Sequence, residues 1–170
     1  IVMTDLDLGM NDHISQPFEW QDSRRYKRGK VLSKEQLEEL PRFGRYLDQD
    51  GDGVAYRTIP GTHPTKGAYF TRGTSHDEYA AYTENPDVYR RGMDRLLRKW
   101  ETAKTSVPEA QFYVSKNGSK IGLLFLGTST YSTEEAMDML RQEGLEVDAC
   151  RLKAFPFTAG VSEFIASHDM

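Results

Sequence analysis

Apolar residues recur along the chain with spacings that predict different elements. Between Asn85 and Pro108 they fall at i, i+4, i+7, i+8 and i+11, which is the pattern of one face of an α-helix. Asn85 is a preferred N-cap residue and Pro86 suits a first turn, so we predict a helix that begins here and ends before Pro108. The apolar face comprises Tyr89, Met93, Leu96, Leu97 and Trp100, and the other face carries Arg90, Arg91, Arg95, Arg98 and Lys99.

The C-terminal part has the pattern of an α/β unit. The apolar run Lys120–Leu126 predicts a strand covered on both faces. The Ser132-x-x-Glu135 pattern predicts a capping box for the next helix, and Gly144 predicts its end. Residues 147–153 predict a second strand and residues 161–168 a final helix. This order indicates a right-handed parallel crossover.

The remaining part is less regular. Residues 1–8 predict a short strand that runs into a carboxylate-rich turn, and residues 11–85 show little periodicity. Within them Ser33-x-x-Gln36 predicts a capped helix, which Pro41 either ends or follows with a second short helix through Leu47. A strand at the start and a helix at the end predict that the chain is an internal piece of a larger α/β protein.

Composition excludes several classes of protein. The 170 residues carry 22 basic and 26 acidic side chains, a net charge of −4, which argues against nucleic acid as the main ligand. One cysteine, Cys150, provides neither an internal disulfide nor the thiolates of an iron–sulfur cluster. The sequence shows no membrane-spanning run and no signal peptide pattern, so we expect a cytoplasmic protein that does not contact a membrane.

One loop resembles the start of a calcium site. Asp48, Asp50 and Asp52 alternate as oxygen ligands of such a loop do, and Gly53 follows in the sixth position. The twelfth position is Ile59 instead of the expected glutamate. A bound cation and a cluster of Asx turns both remain open as interpretations.

A second loop combines hydroxyl, imidazole and carboxylate groups. It runs from Thr71 to Glu78 and suits proton transfer or substrate positioning, or else a turn whose side chains bind their own backbone. The segment Gly127–Thr130, between a strand and a helix, is a weak candidate for binding phosphate. The basic cluster from Arg24 to Lys30 suits an acidic partner such as a ferredoxin, a sister subunit, or solvent.

The order of several segments carries more information than any one of them. Four occur in succession: Thr4–Gly9, Asp50–Gly61, Gly73–Glu78 followed by Tyr82-Thr-Glu84, and Arg151–Phe157. This series resembles the α subunit of 2-oxoacid:acceptor oxidoreductases, especially the 2-oxoglutarate:ferredoxin type. The resemblance extends from Thr4 to about His168.

The resemblance implies a division of the chain. Residues 1–12 would hold the last strand of a pyrimidine-binding domain for thiamine diphosphate. Residues 13–108 would be an irregular extension with a linker helix, and residues 109–170 the start of a parallel α/β domain like the C-terminal domain of transketolases. The motif residues of unknown role are Gly73, Ser75, His76, Asp77 and Glu78.

The resemblance also implies an activity and partners. The family oxidatively decarboxylates a 2-oxoacid, transfers the acyl group to coenzyme A and passes electrons to ferredoxin. Thiamine diphosphate with Mg²⁺ and an iron–sulfur cluster would be bound mainly by a β subunit, and no catalytic residue falls within this chain. Two alternatives remain: a calcium-binding or interaction module that uses Asp48, Asp50 and Asp52, and a small nucleotide-binding domain centred on Gly127–Thr130.

Overall fold

The computed structural model describes residues 2–12 and 14–169, which divide into two compact units. Ile1–Glu19 and Lys104–Met170 form the first unit, and Trp20–Ala103 form the second. The second unit is therefore an insertion in the sequence of the first.

A three-stranded mixed sheet forms the centre of the first unit. Its strands are β1 (Gln111–Tyr113), β2 (Gly122–Leu126) and β3 (Asp148–Leu152), in the order β1-β3-β2. β2 and β3 are parallel and β1 is antiparallel to β3. The sequence therefore predicted the parallel pair correctly but missed β1.

Successive residues of β3 pack on opposite faces of the sheet, as the pleat requires. Ala149 contacts Phe125 and Met137 on the side covered by α4 (Ser129–Gln142). Cys150 contacts Val161 and Phe164 of α5 (Ala159–Ala166) on the other side.

Strand β2 differs from its prediction as a strand covered on both faces. Phe125 is buried, whereas Leu124 and Leu126 are 48% and 63% exposed. The reason is that β2 is an edge strand of the sheet. Helix α5 covers only the first residues of β2, since a side chain at Gly122 would meet Phe164 and His168.

Helix α4 begins four residues earlier than its capping pattern predicts, with Thr128 and not Ser132 in the N-cap position. Ser132 lies inside the helix, where its hydroxyl donates to the Ser129 carbonyl at 3.0 Å. The helix starts directly after β2 because Gly127, with φ +60°, turns the chain. The predicted end is correct, since Gly144 follows the C-cap Glu143 with φ +82°.

The strand predicted near the N-terminus is wrong within the described residues. Leu6–Met10 form a short helix, α1, capped by the Asp5 side chain, which accepts from the Leu8 N–H at 2.9 Å. Leu6 and Leu8, which lie in the predicted strand, are 78% and 49% exposed.

Two helices stand in the second unit. α2 (Lys34–Glu39) has the predicted capping box at Ser33, buries Leu37 completely and ends at Leu40, so no second helix follows Pro41. α3 (Pro86–Lys104) is capped by Asn85, whose side chain accepts from the Asp87 N–H at 2.9 Å. Its apolar face remains largely exposed, with Leu97 at 65%.

Candidate functional site

The aspartate loop is organised around an ammonium group. Lys30 Nζ lies 2.6 Å from Asp50 Oδ2 and 2.8 Å from both carboxylate oxygens of Asp52. Its hydrogen bonds to Asp50 and Asp52 raise the pKa of Lys30, and the same contacts lower the pKa of both carboxyl groups. In the sequence, Lys30 belongs to a basic cluster that suits an acidic partner, a sister subunit or solvent. In the structure, Lys30 binds aspartates of its own chain.

Asp48 points away from this pair. Its Oδ1 accepts from the Gly53 N–H at 3.0 Å and its Oδ2 lies 3.3 Å from the Arg98 guanidinium. Nowhere in residues 2–12 and 14–169 do three His, Cys, Asp or Glu side chains form a group that could hold a metal ion. The geometry therefore gives no support to the calcium-loop alternative for Asp48, Asp50 and Asp52.

The loop from Gly73 to Glu78 forms a tight turn beside helix α3. Asp77 Oδ1 accepts from the backbone N–H of Tyr79 at 2.9 Å and of Ala81 at 2.8 Å. Ala80, between them, is buried with φ +72°, a conformation that costs free energy in any residue other than glycine. Within this motif the Asp77 side chain binds the backbone of its own turn, in agreement with the turn interpretation.

The remaining motif side chains take different positions. The His76 ring stacks on Tyr46 with centroids 3.9 Å apart, and His76 Nδ1 lies 3.1 Å from the Asp77 carbonyl oxygen. Glu78 pairs with Arg91 at 3.2 Å. Gly73 packs against the Tyr82 ring, and the Ser75 hydroxyl is buried without a hydrogen-bond partner among the described residues.

Helix α3 and this turn enclose a cleft of about 330 Å³. Its walls include Tyr46, His76 and three arginines at i, i+4 and i+7 of the helix, namely Arg91, Arg95 and Arg98. Both the His76 turn and the Asp48 side chain line this cleft. Because His76 and Asp48 are 28 positions apart, the sequence alone does not show that they are close. Charged and aromatic side chains make up most of its lining, so the cleft suits the binding of a charged ligand.

A second cleft, of about 580 Å³, lies in the other unit at the carboxyl end of β2. Here Thr128 donates its N–H and its hydroxyl to Asp5 Oδ2, each at 3.1 Å. The pKa of Asp5 is lowered, chiefly by the Leu8 N–H and also by Thr128. The predicted phosphate loop Gly127–Thr130 thus binds a carboxylate of the same chain.

Known proteins resemble this chain in sequence and in fold. No protein-family model matches the chain. The α subunit of 2-oxoacid:ferredoxin oxidoreductase 2 from Aeropyrum pernix is 26% identical over 139 residues, which cover 80% of this chain and 20% of that protein. This chain is similar to a segment of a 2-oxoacid:ferredoxin oxidoreductase α subunit. The resemblance predicted from the sequence is confirmed.

A solved structure agrees with this α-subunit similarity at the level of the fold. It is a 2-oxoglutarate:ferredoxin oxidoreductase from Magnetococcus marinus with 2-oxoglutarate, coenzyme A and succinyl-CoA bound. The TM-score is 0.66 at 21% identity, over 82% of this chain and 23% of that one. The chain therefore spans about a fifth of the length of the α-subunit relative and under a quarter of the matched structure.

The sequence did not reveal the contacts of three groups described above. Lys30 reaches Asp50 across 20 positions, and Asp5 reaches Thr128 across 123 positions. Tyr46 lay in a stretch without periodicity. The only local signal was the glycine pair around Asp52, since Gly51 and Gly53 mark a backbone that folds sharply.

Proposed function

We propose that this chain is a segment of the α subunit of a thiamine-diphosphate-dependent 2-oxoacid:ferredoxin oxidoreductase. The observation that carries the proposal is the similarity to the Aeropyrum pernix α subunit over four-fifths of the chain. In the balanced reaction a 2-oxoacid and coenzyme A give acyl-CoA, CO₂ and a proton, and two ferredoxin molecules each accept one electron. We propose 2-oxoglutarate as the 2-oxoacid, since the matched structure holds it.

The proposal assigns the chain a structural place in the enzyme. Residues 1–12 would end the pyrimidine-binding domain, residues 13–108 would form the extension, and residues 109–170 would begin the transketolase-like domain. The enzyme would act in the cytoplasm. In keeping with this, no helix within residues 2–12 and 14–169 is long and apolar enough to cross a membrane.

The chain's own residues do not fit the cofactors of such an enzyme. Cys150 is one thiol and fully buried, so it cannot ligate an iron–sulfur cluster. Among the described residues, no three His, Cys, Asp or Glu side chains form a group that could hold a metal ion. We therefore propose that a β subunit holds both, and that thiamine diphosphate there supplies the stabilisation of the carbanion formed on decarboxylation.

The test uses the complete subunit that contains this segment, purified anaerobically with its β subunit. Coenzyme-A-dependent reduction of a viologen dye is measured with 2-oxoglutarate, pyruvate and branched-chain 2-oxoacids in turn. We expect turnover with 2-oxoglutarate. Turnover with another acid would overturn the substrate assignment, and none with any acid, from a complex loaded with thiamine diphosphate and its cluster, would overturn the enzyme assignment.

A further inference from the structure

The three arginines that face the first cleft differ in how their charge is balanced. Arg91 pairs with Glu78 at 3.2 Å, and Arg98 pairs with Asp48 at 3.3 Å. Arg95 lies between them on the helix and has no carboxylate oxygen within 4 Å among the described residues. The guanidinium at the middle of the row is therefore the one without a direct ion pair, and the charge of Asp48 acts on it from a greater distance.

Arg95 is also the most enclosed of the three. It is half-buried, whereas Arg91 and Arg98 are exposed. Burial lowers the pKa of Arg95, which reflects the loss of hydration around a group that stays charged in proteins. Its Nη1 donates to the Gly53 carbonyl at 2.9 Å, a neutral acceptor that does not form an ion pair. A partly buried cation without an anion is costly to the fold, and binding an anion removes that cost.

Aromatic rings hold the wall next to Arg95 in place. Tyr46 lies with its ring centroid 6.0 Å from the Arg95 guanidinium carbon and 3.9 Å from the His76 centroid. His76 Nδ1 faces the Asp77 carbonyl oxygen at 3.1 Å, so its Nε2 is the ring nitrogen left for a ligand. The strained turn at Ala80 fixes this loop, which suits a preformed site.

The acidic residues around the cleft are engaged elsewhere. Asp48 accepts from Gly53 and Arg98, Glu78 binds Arg91, and Asp77 accepts from two backbone N–H groups. These three residues therefore make their hydrogen bonds to partners other than Arg95, although the charge of Asp48 still acts on Arg95. Asp94, the fourth acidic residue of the lining, lies 4.0 Å from Arg90. At the centre of the cleft, a ligand would therefore meet the planar N–H donors of Arg95 beside the imidazole of His76.

We propose that this cleft is a binding site for an oxyanion, a phosphate or a carboxylate group of a small ligand, held by Arg95 with His76 at its side. The planar guanidinium matches two oxygens of either group. A cavity of about 330 Å³ admits such a group together with a small part of the molecule that carries it. The site stands on this geometry alone and does not depend on the enzyme proposed above.

The experiment titrates the full chain with inorganic phosphate and, separately, with acetate, each up to about 20 mM at constant ionic strength. NMR follows the Arg95 Nε–H and the His76 ring signals. We expect saturable shifts of both. Shifts with phosphate alone identify a phosphorylated ligand, and shifts with acetate identify a carboxylate.

Two substitutions on α3 provide a matched pair. Arg95→Gln removes the central charge and is expected to weaken binding at least about tenfold, the loss typical of a charge-assisted hydrogen bond. Arg90→Gln removes a charge of the same helix that is 83% exposed and does not line the cleft, and it is expected to leave binding within about twofold of wild type. Arg95→Lys keeps the charge without the planar fork and is expected to bind with intermediate strength.

The wild-type titration decides the question even where Arg95→Gln fails to fold. Saturable shifts centred on Arg95 and His76 support the proposal. Absence of saturable shifts with both anions, or shifts confined to the basic cluster Arg24–Lys30, would overturn it. Equal binding by a folded Arg95→Gln variant would overturn it as well.

Discussion

Gly51 and Gly53 have almost the same backbone conformation, with φ +77° and +79°, but very different surroundings. A side chain at Gly51 meets nothing within 4 Å. A Cβ at Gly53 would lie 2.6 Å from the Arg95 carbonyl oxygen and 2.7 Å from Lys99 Cα, both of them backbone atoms of helix α3. Gly53 is therefore the point where the aspartate loop touches the helix, and it helps to place Arg95.

The two glycines give a first prediction. Gly51→Ala is expected to lower the free energy of unfolding by about 1 kcal/mol, the cost of a left-handed conformation. Gly53→Ala carries the same cost and also forces the helix to move, so we expect a loss of at least about 3 kcal/mol. Urea unfolding of both variants measures the difference. Equal losses would show that the contact between the loop and the helix does not exist in solution.

His168 gives a prediction about pH. Its Nδ1 faces the Phe164 carbonyl at 2.6 Å and its Nε2 faces Asp148 at 3.2 Å, and the His168 and Asp148 side chains are only 8% and 5% exposed. Both neighbours are acceptors, so the ring binds both only when protonated. The Phe164 carbonyl, and after it Asp148, raises the pKa of His168.

Stability should follow this titration. A group with a raised pKa contributes fully below its unfolded pKa, about 6.5, and the contribution is lost as the pH rises through the folded value. Asp148 stays ionised in this range, because hydrogen bonds from Ser115 and His168 outweigh burial and lower its pKa. We expect the urea midpoint of the wild type to decrease as the pH is raised from about 6 to about 8.5. The midpoint of His168→Gln should change less over the same range. Parallel pH profiles would contradict this assignment.

Among the elements, two serines with the same sequence pattern have different roles. Ser33 Oγ accepts from the Gln36 N–H at 3.3 Å, and Gln36 Oε1 accepts from the Ser33 N–H at 2.9 Å. Ser132, also followed three residues later by an acidic or amide side chain, lies inside α4 and caps nothing.

The third prediction compares these serines. Ser33→Ala is expected to lower the free energy of unfolding by about 1 kcal/mol because α2 loses its N-cap. Ser132→Ala is expected to change it by less than about 0.5 kcal/mol, since alanine is a good helix former. Chemical denaturation of the pair provides the measurement. A comparable loss at both sites would mean that α4 begins at Ser132 in solution.

The same comparison shows what sequence can predict at this level. The helical spacing of apolar residues located α3, and a nearly continuous apolar run located β2. Strand β1 has only three residues and exists through its pairing with β3, so Gln111–Tyr113 carry no signal of their own. The first cleft was unpredictable for a related reason, since Arg95 and His76 meet only through the tertiary fold. The aspartates were conspicuous in sequence, but nothing local revealed that Lys30 binds them.

In the whole molecule, the first unit is assembled from two separate parts of the sequence. Asp5 connects them, because its carboxylate binds α1 through Leu8 and the start of α4 through Thr128. A side chain at Gly127 would lie 2.6 Å from Asp5 Oδ2, so the approach requires a glycine there. The N-terminal segment is attached to the sheet unit by this carboxylate.

The fourth prediction tests that attachment. Asp5→Ala is expected to speed amide hydrogen exchange at Leu8 and Thr128 by about tenfold, since both N–H groups lose a charged acceptor. Asp7→Ala is the control, because within the part of the chain that the structure describes its carboxylate accepts from the Asn11 side chain, at 3.2 Å, and the Thr128 amide should not respond. Unchanged exchange at Thr128 in Asp5→Ala would show that the segment is not attached there.

The connection between Asp5 and Thr128 also imposes an order on events during synthesis. A ribosome adds about 5–20 residues per second, and the two partners are separated by 123 positions, so Asp5 is added to the chain roughly 6–25 s before Thr128. In that interval the ribosome adds the whole inserted unit, whereas strand β3, which pairs with both other strands of the sheet, has not yet been made. The sheet unit is therefore completed after translation of its C-terminal part, and a pause between the two events favours the inserted unit folding first.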